Sequence, residues 1–263
     1  MRPIEGMSML VTGGGSGIGE GIARHMCAAG ARVTISGRRP DKVTSVADSI
    51  GERCRAVVGD VTIAADRSAM LAAAVEHGAG LDVLVNNAGN MYRGPLAELE
   101  EDELLAVFHS NVVAAIMLTQ GALAYLTQAR GAVVFIGSTH SQRAFPGASP
   151  YAATKGAVET LTGVLAAELG PQGVRVSCVR PGAVFTELNQ RAGLFDAGSA
   201  LERLQGLAPA HALGRFGTVT EIAEAVDYLA RAEWTTGAVM TVDGGLCLGV
   251  TNAEERTVDN RRT

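Results

Sequence analysis

Met7-Ser8-Met9-Leu10-Val11-Thr12-Gly13-Gly14-Gly15-Ser16-Gly17-Ile18-Gly19 decides how this chain folds. Its first six residues form a short apolar run that stops at glycines, as a strand buried on both faces does. A helical pattern follows from Gly19 to Ala29, with Ile22, Ala23 and Met26 on one side and Gly30 closing it. Strand, glycine turn and helix in that order place unpaired N–H groups and the positive end of a helix at the strand's carboxyl end. A pyrophosphate can be held there. Gly13, Gly17 and Gly19 do not have the Gly-x-Gly-x-x-Gly spacing, and no Gly-Lys-Ser/Thr follows to make a P-loop. Taken alone, the stretch also reads as an ordinary glycine-rich turn.

Outward from it, strands and helices alternate. Arg32–Ser36 reads as a strand and Asp41–Ile50 as a helix; Ala56–Val58 leads to Gly59-Asp60, and Ala64–His77 is helical. Leu81–Val85 ends in Asn86-Asn87-Ala88-Gly89, and a long helical region from Glu100 to Gln128 has a break near Ser110-Asn111. Ala132–Ile136 ends at Gly137-Ser138, a helix runs from Pro150 to Leu169, and Arg175–Val179 leads to Pro181-Gly182. Thr220–Ala230 is helical and Val239–Val242 is the last short strand. Continuous apolar strands alternating with helices predict an α/β fold, one doubly wound parallel sheet of Rossmann type with helices on both faces. Residues 1–248 read as a single domain, 183–217 as a segment laid over a site, and 249–263 as a polar tail.

Composition narrows the classes. The chain has 263 residues, 47% hydrophobic, with a net charge of -5 and scattered basic residues, which argues against nucleic acid as a partner. No apolar run approaches the ~18 residues of a membrane span, so no membrane partner is expected. Met1-Arg2-Pro3-Ile4-Glu5 carries no signal-peptide pattern, and Cys27, Cys54, Cys178 and Cys247 form no Cys-x-x-Cys pair. Reduced thiols in a cytoplasmic protein are the expectation. His25, His77, His109 and His211 show no ligand spacing, so no metal is expected in the chemistry.

Tyr151 and Lys155 are four residues apart on one helix, hence one turn apart on one face. A free phenol releases its proton near pKa ~10, too high for acid–base work at neutral pH, and a neighbouring ammonium lowers that value. A Lys stem lying over a half-buried Tyr has the same spacing. Ser138 reads equally as a turn hydroxyl, Asn111 as a mid-helix polar group, and Asn87 and Asp60 as turn caps.

Together, Thr12-Gly13-x-x-x-Gly17-x-Gly19, Asn87-Ala88-Gly89, Asn111, Ser138, Tyr151-x-x-x-Lys155 and Pro181-Gly182 occur in one order and at characteristic separations. So arranged, they resemble the short-chain dehydrogenase/reductase family in its ordinary ~250-residue form, from Met7 to about Gly245. The resemblance implies that residues 1–248 bind a dinucleotide and that Tyr151 is the acid/base beside a nicotinamide. By the same resemblance Lys155 holds the nicotinamide ribose and lowers the Tyr151 pKa, and Ser138 hydrogen-bonds the reacting oxygen. Asn111 holds a water that links Lys155 to solvent. Gly13, Ser16, Gly17, Ile18 and Gly19 wrap the pyrophosphate, and Asp60 and Val61 border the adenine. Asn87, Ala88 and Gly89 stabilise the sheet and touch the adenine ribose, and Pro181, Gly182, Val184 and Thr186 border the nicotinamide. His140 is expected as a pocket wall or exposed.

The end of the second strand bears on the cofactor. NAD-specific members of that family carry an Asp there; this chain has Gly37, then Arg38 and Arg39. A guanidinium pairs with a 2′-phosphate, so NADP(H) is expected ahead of NAD(H), although Ser16 lies where many NADP-dependent members have a second basic residue. The expected activity is interconversion of a carbonyl and a secondary alcohol, its small-molecule substrate not specified by the sequence. Thr139, His140, Gln142, Phe145 and Pro146 are candidates for the pocket, with Leu188, Leu194, Phe195 and Leu204 as an apolar cover. An NAD-dependent alcohol dehydrogenase and a catalytically silent nucleotide sensor are the alternatives. Family precedent implies a homotetramer or homodimer.

Overall fold

The apolar runs pair as parallel strands in a computed structural model, which describes residues 1–188, 202 and 205–249. The strands are β1 (Ser8–Thr12), β2 (Arg32–Gly37), β3 (Cys54–Val58), β4 (Val83–Asn86), β5 (Ala132–Ile136), β6 (Arg175–Pro181) and β7 (Val239–Val242). They form one seven-stranded sheet in the order β3-β2-β1-β4-β5-β6-β7. Every pairing is parallel. This is the Rossmann-type α/β arrangement.

Strand side chains alternate between faces, and each face has its own core. Met9 and Val11 of β1, with Val33 and Ile35 of β2, pack against Ile22 and Met26 of α1 (Gly17–Ala28), Val43 of α2 (Pro40–Ile50) and Val226 of a later helix, Val219–Arg231. Leu10, Leu84 and Phe135 face the other way, onto Met70 of α3 (Ala64–Gly78), Leu118, and Leu169 of a 21-residue helix, Ser149–Leu169.

The long helical region is α4 (Glu101–Phe108), a π-helical turn (His109–Val113) and α5 (Ala114–Ala129). The expected break is therefore an extra residue in the turn rather than an interruption. It makes Glu101–Ala129 one 29-residue run holding an 18-residue stretch of mean hydropathy 1.5, by length and composition alone long and apolar enough to cross a membrane. The sequence expectation of no such segment is corrected: scattered polar residues hid a length that only the continuous helix reveals. One side of α5 (Ala115, Leu118, Ala122, Leu126) is buried in the sheet's core, while Val113, Ile116 and Met117 are exposed.

The helices that follow are α6 (Ser149–Leu169) and α7 (Val219–Arg231). A capping box starts α7, with Thr218 accepting from the Glu221 N–H and Glu221 accepting from the Thr218 N–H. Its far end is held by the buried Arg175 guanidinium, which donates to the carbonyls of Leu229 (2.7 Å), Ala230 (2.6 Å) and Ala232 (2.9 Å). A cation there offsets the negative end of the helix and pairs its last carbonyls. Just beyond, Trp234 is fully exposed. Of the expected covering segment 183–217, residues 183–188, 202 and 205–217 are described, and Val184 bridges to Gly217. Leu194, Phe195, Leu204 and, apart from Gly249, the polar tail lie outside the described residues.

Candidate active site

β1 and β4 are neighbours, but the chain leaves them toward opposite ends of the sheet, which opens a crevice beyond their carboxyl ends. Backbone shape builds its floor. Gly13 and Gly17 adopt left-handed conformations, φ +67° and φ +58°, that suit glycine. A Cβ on Gly19 would collide with the Gly13 carbonyl and the Asn87 amide. Asn87 Nδ2 donates to the carbonyls of Thr12 (2.8 Å) and Gly13 (3.2 Å), while Thr12 Oγ1 accepts from the Asn87 and Ala88 N–H groups. Asn87 thus ties β4 to the glycine turn. Ser16, Gly17, Ile18 and Val61 line the same crevice.

At the end of β2 the basic residues are engaged with carboxylates. Arg38 NH1 lies 3.7 Å from Asp60 Oδ2, and its other nitrogen lies 3.4 Å from Asn90 Oδ1. Asp60 also accepts from the N–H and hydroxyl of Thr62, and those bonds with Arg38 hold its carboxyl below the usual range against the upward push of burial. Arg39 donates to Ser16 Oγ (3.1 Å) and to Glu187 Oε2 (2.8 Å), and Lys42 Nζ lies 3.6 Å from Glu187 Oε1. The sequence reading passed over Lys42 and Glu187. Glu187 arrives with the strand-like segment after β6, where Thr186 covers Gly17: a Cβ on that glycine would come 3.2 Å from its side chain.

The opposite end of the crevice holds Ser138, Tyr151 and Lys155, all lining it. Ser138 follows β5, and Tyr151 and Lys155 project from the first turns of α6. Each is buried. Lys155 Nζ donates to the Ile136 carbonyl at 2.7 Å and lies 5.5 Å from the centre of the Tyr151 ring. Burial pushes the Tyr151 phenol up to about 12, opposed by the Ser138 hydroxyl. Burial lowers the Lys155 amine to about 8, with Cys178 and Glu159 opposing. The downward pull expected from Lys155 does not set the Tyr151 pKa here: withdrawal of the phenol from water does, with the Ser138 hydroxyl opposing it.

Asn111 sits in the π-helical turn, which turns its side chain toward α6. Its Oδ1 accepts from the Asn90 N–H (2.8 Å), and its Nδ2 donates to the Asn90 carbonyl (2.9 Å) and Thr154 Oγ1 (3.0 Å). It braces the loop after β4 against the residue next to Lys155. Asn90 and Thr154, its partners, escaped the sequence reading, although Thr154 adjoins Lys155 within the Tyr-x-x-x-Lys stretch.

Pro181, Gly182, Val184, Thr186 and Leu188 border the crevice, as do Ala88 and Gly89. Among the pocket candidates, Thr139, His140 and Phe145 line it; Gln142 and Pro146 do not. Met91, Leu207 and Leu246 add apolar wall that sequence did not indicate. His140 is more than a wall. Its Nδ1 lies 3.1 Å from Ser138 Oγ, its ring stacks on Phe145 at 4.3 Å and meets Tyr151 edge-on at 5.2 Å.

A glycine-lined anion cradle at one end and a buried hydroxyl pair at the other fit an extended dinucleotide with a reacting carbon at its far end. Comparison with known proteins agrees. A family profile described as enoyl-(acyl carrier protein) reductase matches residues 13–247. An uncharacterized oxidoreductase of Methylorubrum extorquens is 36% identical over 252 residues, covering 94% of this chain and 100% of that protein. A solved short chain dehydrogenase/reductase family protein superposes with a TM-score of 0.79 at 36% identity, covering 93% of this chain and 98% of the other. The 3-ketoacyl-(acyl-carrier-protein) reductase of Brucella melitensis, solved with NADH, superposes with a TM-score of 0.86 at 30% identity, covering 93% of this chain and 99% of that one. The chain belongs to the short-chain dehydrogenase/reductase family. It is an oxidoreductase of the carbonyl/alcohol type.

Proposed function

We propose that the chain interconverts a ketone and a secondary alcohol with NADP(H), using Tyr151 as acid/base. The observation that carries this reading is the convergence of Ser138, Tyr151 and Lys155 at one end of a crevice whose other end presents Arg38 and Arg39. A bound nicotinamide supplies or accepts the hydride. The protein's part is to hold the carbonyl carbon near that ring and to manage charge on its oxygen. Ser138 donates to the oxygen as negative charge develops, and Tyr151 delivers the proton. Its high pKa in the free protein keeps it protonated and ready to act as an acid. Lys155, adjacent and cationic below about pH 8, favours the phenolate that remains after transfer. Asn111 acts as a brace that fixes the spacing of α6 against the loop after β4. The apolar wall from Phe145, Leu188, Leu207 and Leu246 suits a substrate with a hydrophobic flank.

NADP(H) is favoured because Arg38 stands at the end of β2 with its side chain more than half open to solvent, where a 2′-phosphate would lie. One observation favours NAD(H) as a second reading: Glu187 places a carboxylate against Arg39 and Lys42. Titrating the protein with NADPH and NADH separately, then screening ketones with the tighter binder, tests both. Much tighter NADH binding would overturn the assignment, and binding of NADPH with no turnover of any ketone would favour a sensor.

The proposal extends to assembly and setting. Val112, Ile116, Ala153, Gly156, Leu161 and Val164 form a shallow apolar groove between α5 and α6, suited to a second copy in a homodimer or homotetramer. Four free cysteines suit the reducing cytoplasm.

A further inference from the structure

The hydroxyl of Ser138 has one proton to give and two lone pairs to accept with. The backbone N–H of His140 takes one lone pair, at 3.3 Å. His140 Nδ1 approaches the same oxygen at 3.1 Å. If that nitrogen is bare, it draws the serine proton to itself, and nothing remains to donate to a substrate. If it carries hydrogen, it fills the second lone pair. The serine proton then points away from His140, toward the Tyr151 hydroxyl that it already meets and the position a carbonyl oxygen takes beside it. The ring cannot easily swing away, because it stacks on Phe145 at 27° and meets Tyr151 at 85°.

We infer that His140 is a positioning residue which, carrying its proton on Nδ1, makes Ser138 an obligate hydrogen-bond donor to the reacting oxygen. The inference rests on the reading of Ser138 and Tyr151 given above. It assigns to this chain a polarity relay within three consecutive residues, Ser138-Thr139-His140, held in register by a single 3-10 turn. His140 itself exchanges no proton with the substrate. It decides which way an existing proton faces, so its effect must pass entirely through Ser138.

The test is a double-mutant cycle in ketone reduction with the preferred nicotinamide cofactor. His140→Phe keeps the stack on Phe145 and removes the N–H; His140→Asn keeps an N–H that can reach the place of Nδ1. Ser138→Ala is expected to lower kcat by about 10²–10³, the range for losing one oxyanion donor. His140→Phe is expected to lower kcat by at least about tenfold with little change in KM, being a partial loss of the same donor. His140→Asn should recover most of that loss. In the Ser138→Ala background, His140→Phe should slow the enzyme no further, because groups acting through one another are not additive. His140→Leu serves if the phenyl variant does not fold, and cofactor affinity reports on folding for each protein. The inference is overturned if His140→Phe keeps its parent kcat, if Asn is as impaired as Phe, or if the two losses multiply in the double variant. Failure of the underlying site reading looks different: Tyr151→Phe and Ser138→Ala would then both turn over normally.

Discussion

Lys155 Nζ donates to the Ile136 carbonyl at 2.7 Å, a buried bond that anchors the ammonium to the end of β5 beneath the Tyr151 ring. Among the described residues no carboxylate hydrogen-bonds this buried charge, and its pKa falls to about 8 from 10.5 because of burial. Between those values the unfolded chain holds more protons at this position than the folded one. The stability contribution of Lys155 therefore rises with pH across that window, and its penalty is full below about pH 8. Lys155→Met, neutral at every pH, should raise the melting temperature of the cofactor-free protein relative to the parent more at pH 7 than at pH 9.5. Equal differences at the two pH values would mean that the amine titrates normally.

Tyr151→Phe removes the proposed proton donor and little else, since the ring keeps its contacts with His140. Turnover should fall by about 10²–10⁴, the usual worth of a placed acid or base. Cofactor affinity should stay within about threefold, as the phenol sits at the reacting end and not among the phosphate contacts. Stopped-flow turnover and fluorescence titration of the reduced cofactor measure the two quantities.

On the proposed NADP(H) reading, Glu187 would compete with the 2′-phosphate for Arg39 and Lys42. Arg38→Ala should weaken NADPH by about 10–100-fold with NADH little changed, because a charge-assisted hydrogen bond is worth ~1.5–3 kcal/mol. Glu187→Gln should act in the opposite direction. It frees Arg39 and Lys42, and should tighten NADPH by up to about fivefold, since half-exposed ion pairs are worth ~0–1 kcal/mol. Weaker NADPH binding by the Gln variant would show that the carboxylate organises the basic pair rather than occupying it.

Glu159 grips Arg180 with both oxygens, at 2.9 Å and 2.7 Å, and also accepts from Ser141 Oγ at 2.6 Å. Both ion-pair partners are largely buried. Glu159→Ala leaves a guanidinium without its counter-charge and should cost about 3–5 kcal/mol of stability. Urea denaturation at pH 7 measures it; a loss under about 1 kcal/mol would mean that water reaches Arg180 readily.

The architecture was legible because each of the strands is an apolar run ended by glycine or a small polar residue, and the helices between them have clear lengths. The first helix begins at Gly17 and not at Gly19, because glycines at its start conceal a turn that the backbone makes without side-chain help. Ser138, Tyr151 and Lys155 were legible as a spacing, and the structure brings them together. Their protonation was not, since burial is set by everything packed around them. Nor was Glu187 against Arg39, a contact across 148 positions that no local pattern encodes. His140 lay only two residues from Ser138, yet the relation depends on the turn that brings Nδ1 back onto the hydroxyl.

Trp234 is the chain's one tryptophan, and it stands wholly in water just past α7. Its emission in an isolated chain is therefore already that of a solvated indole, and unfolding will barely shift its colour. What can shift it is a second molecule resting on that corner. A blue shift that grows with protein concentration, while circular dichroism stays constant, would make this single chromophore a reporter of self-association at a surface remote from the catalytic crevice.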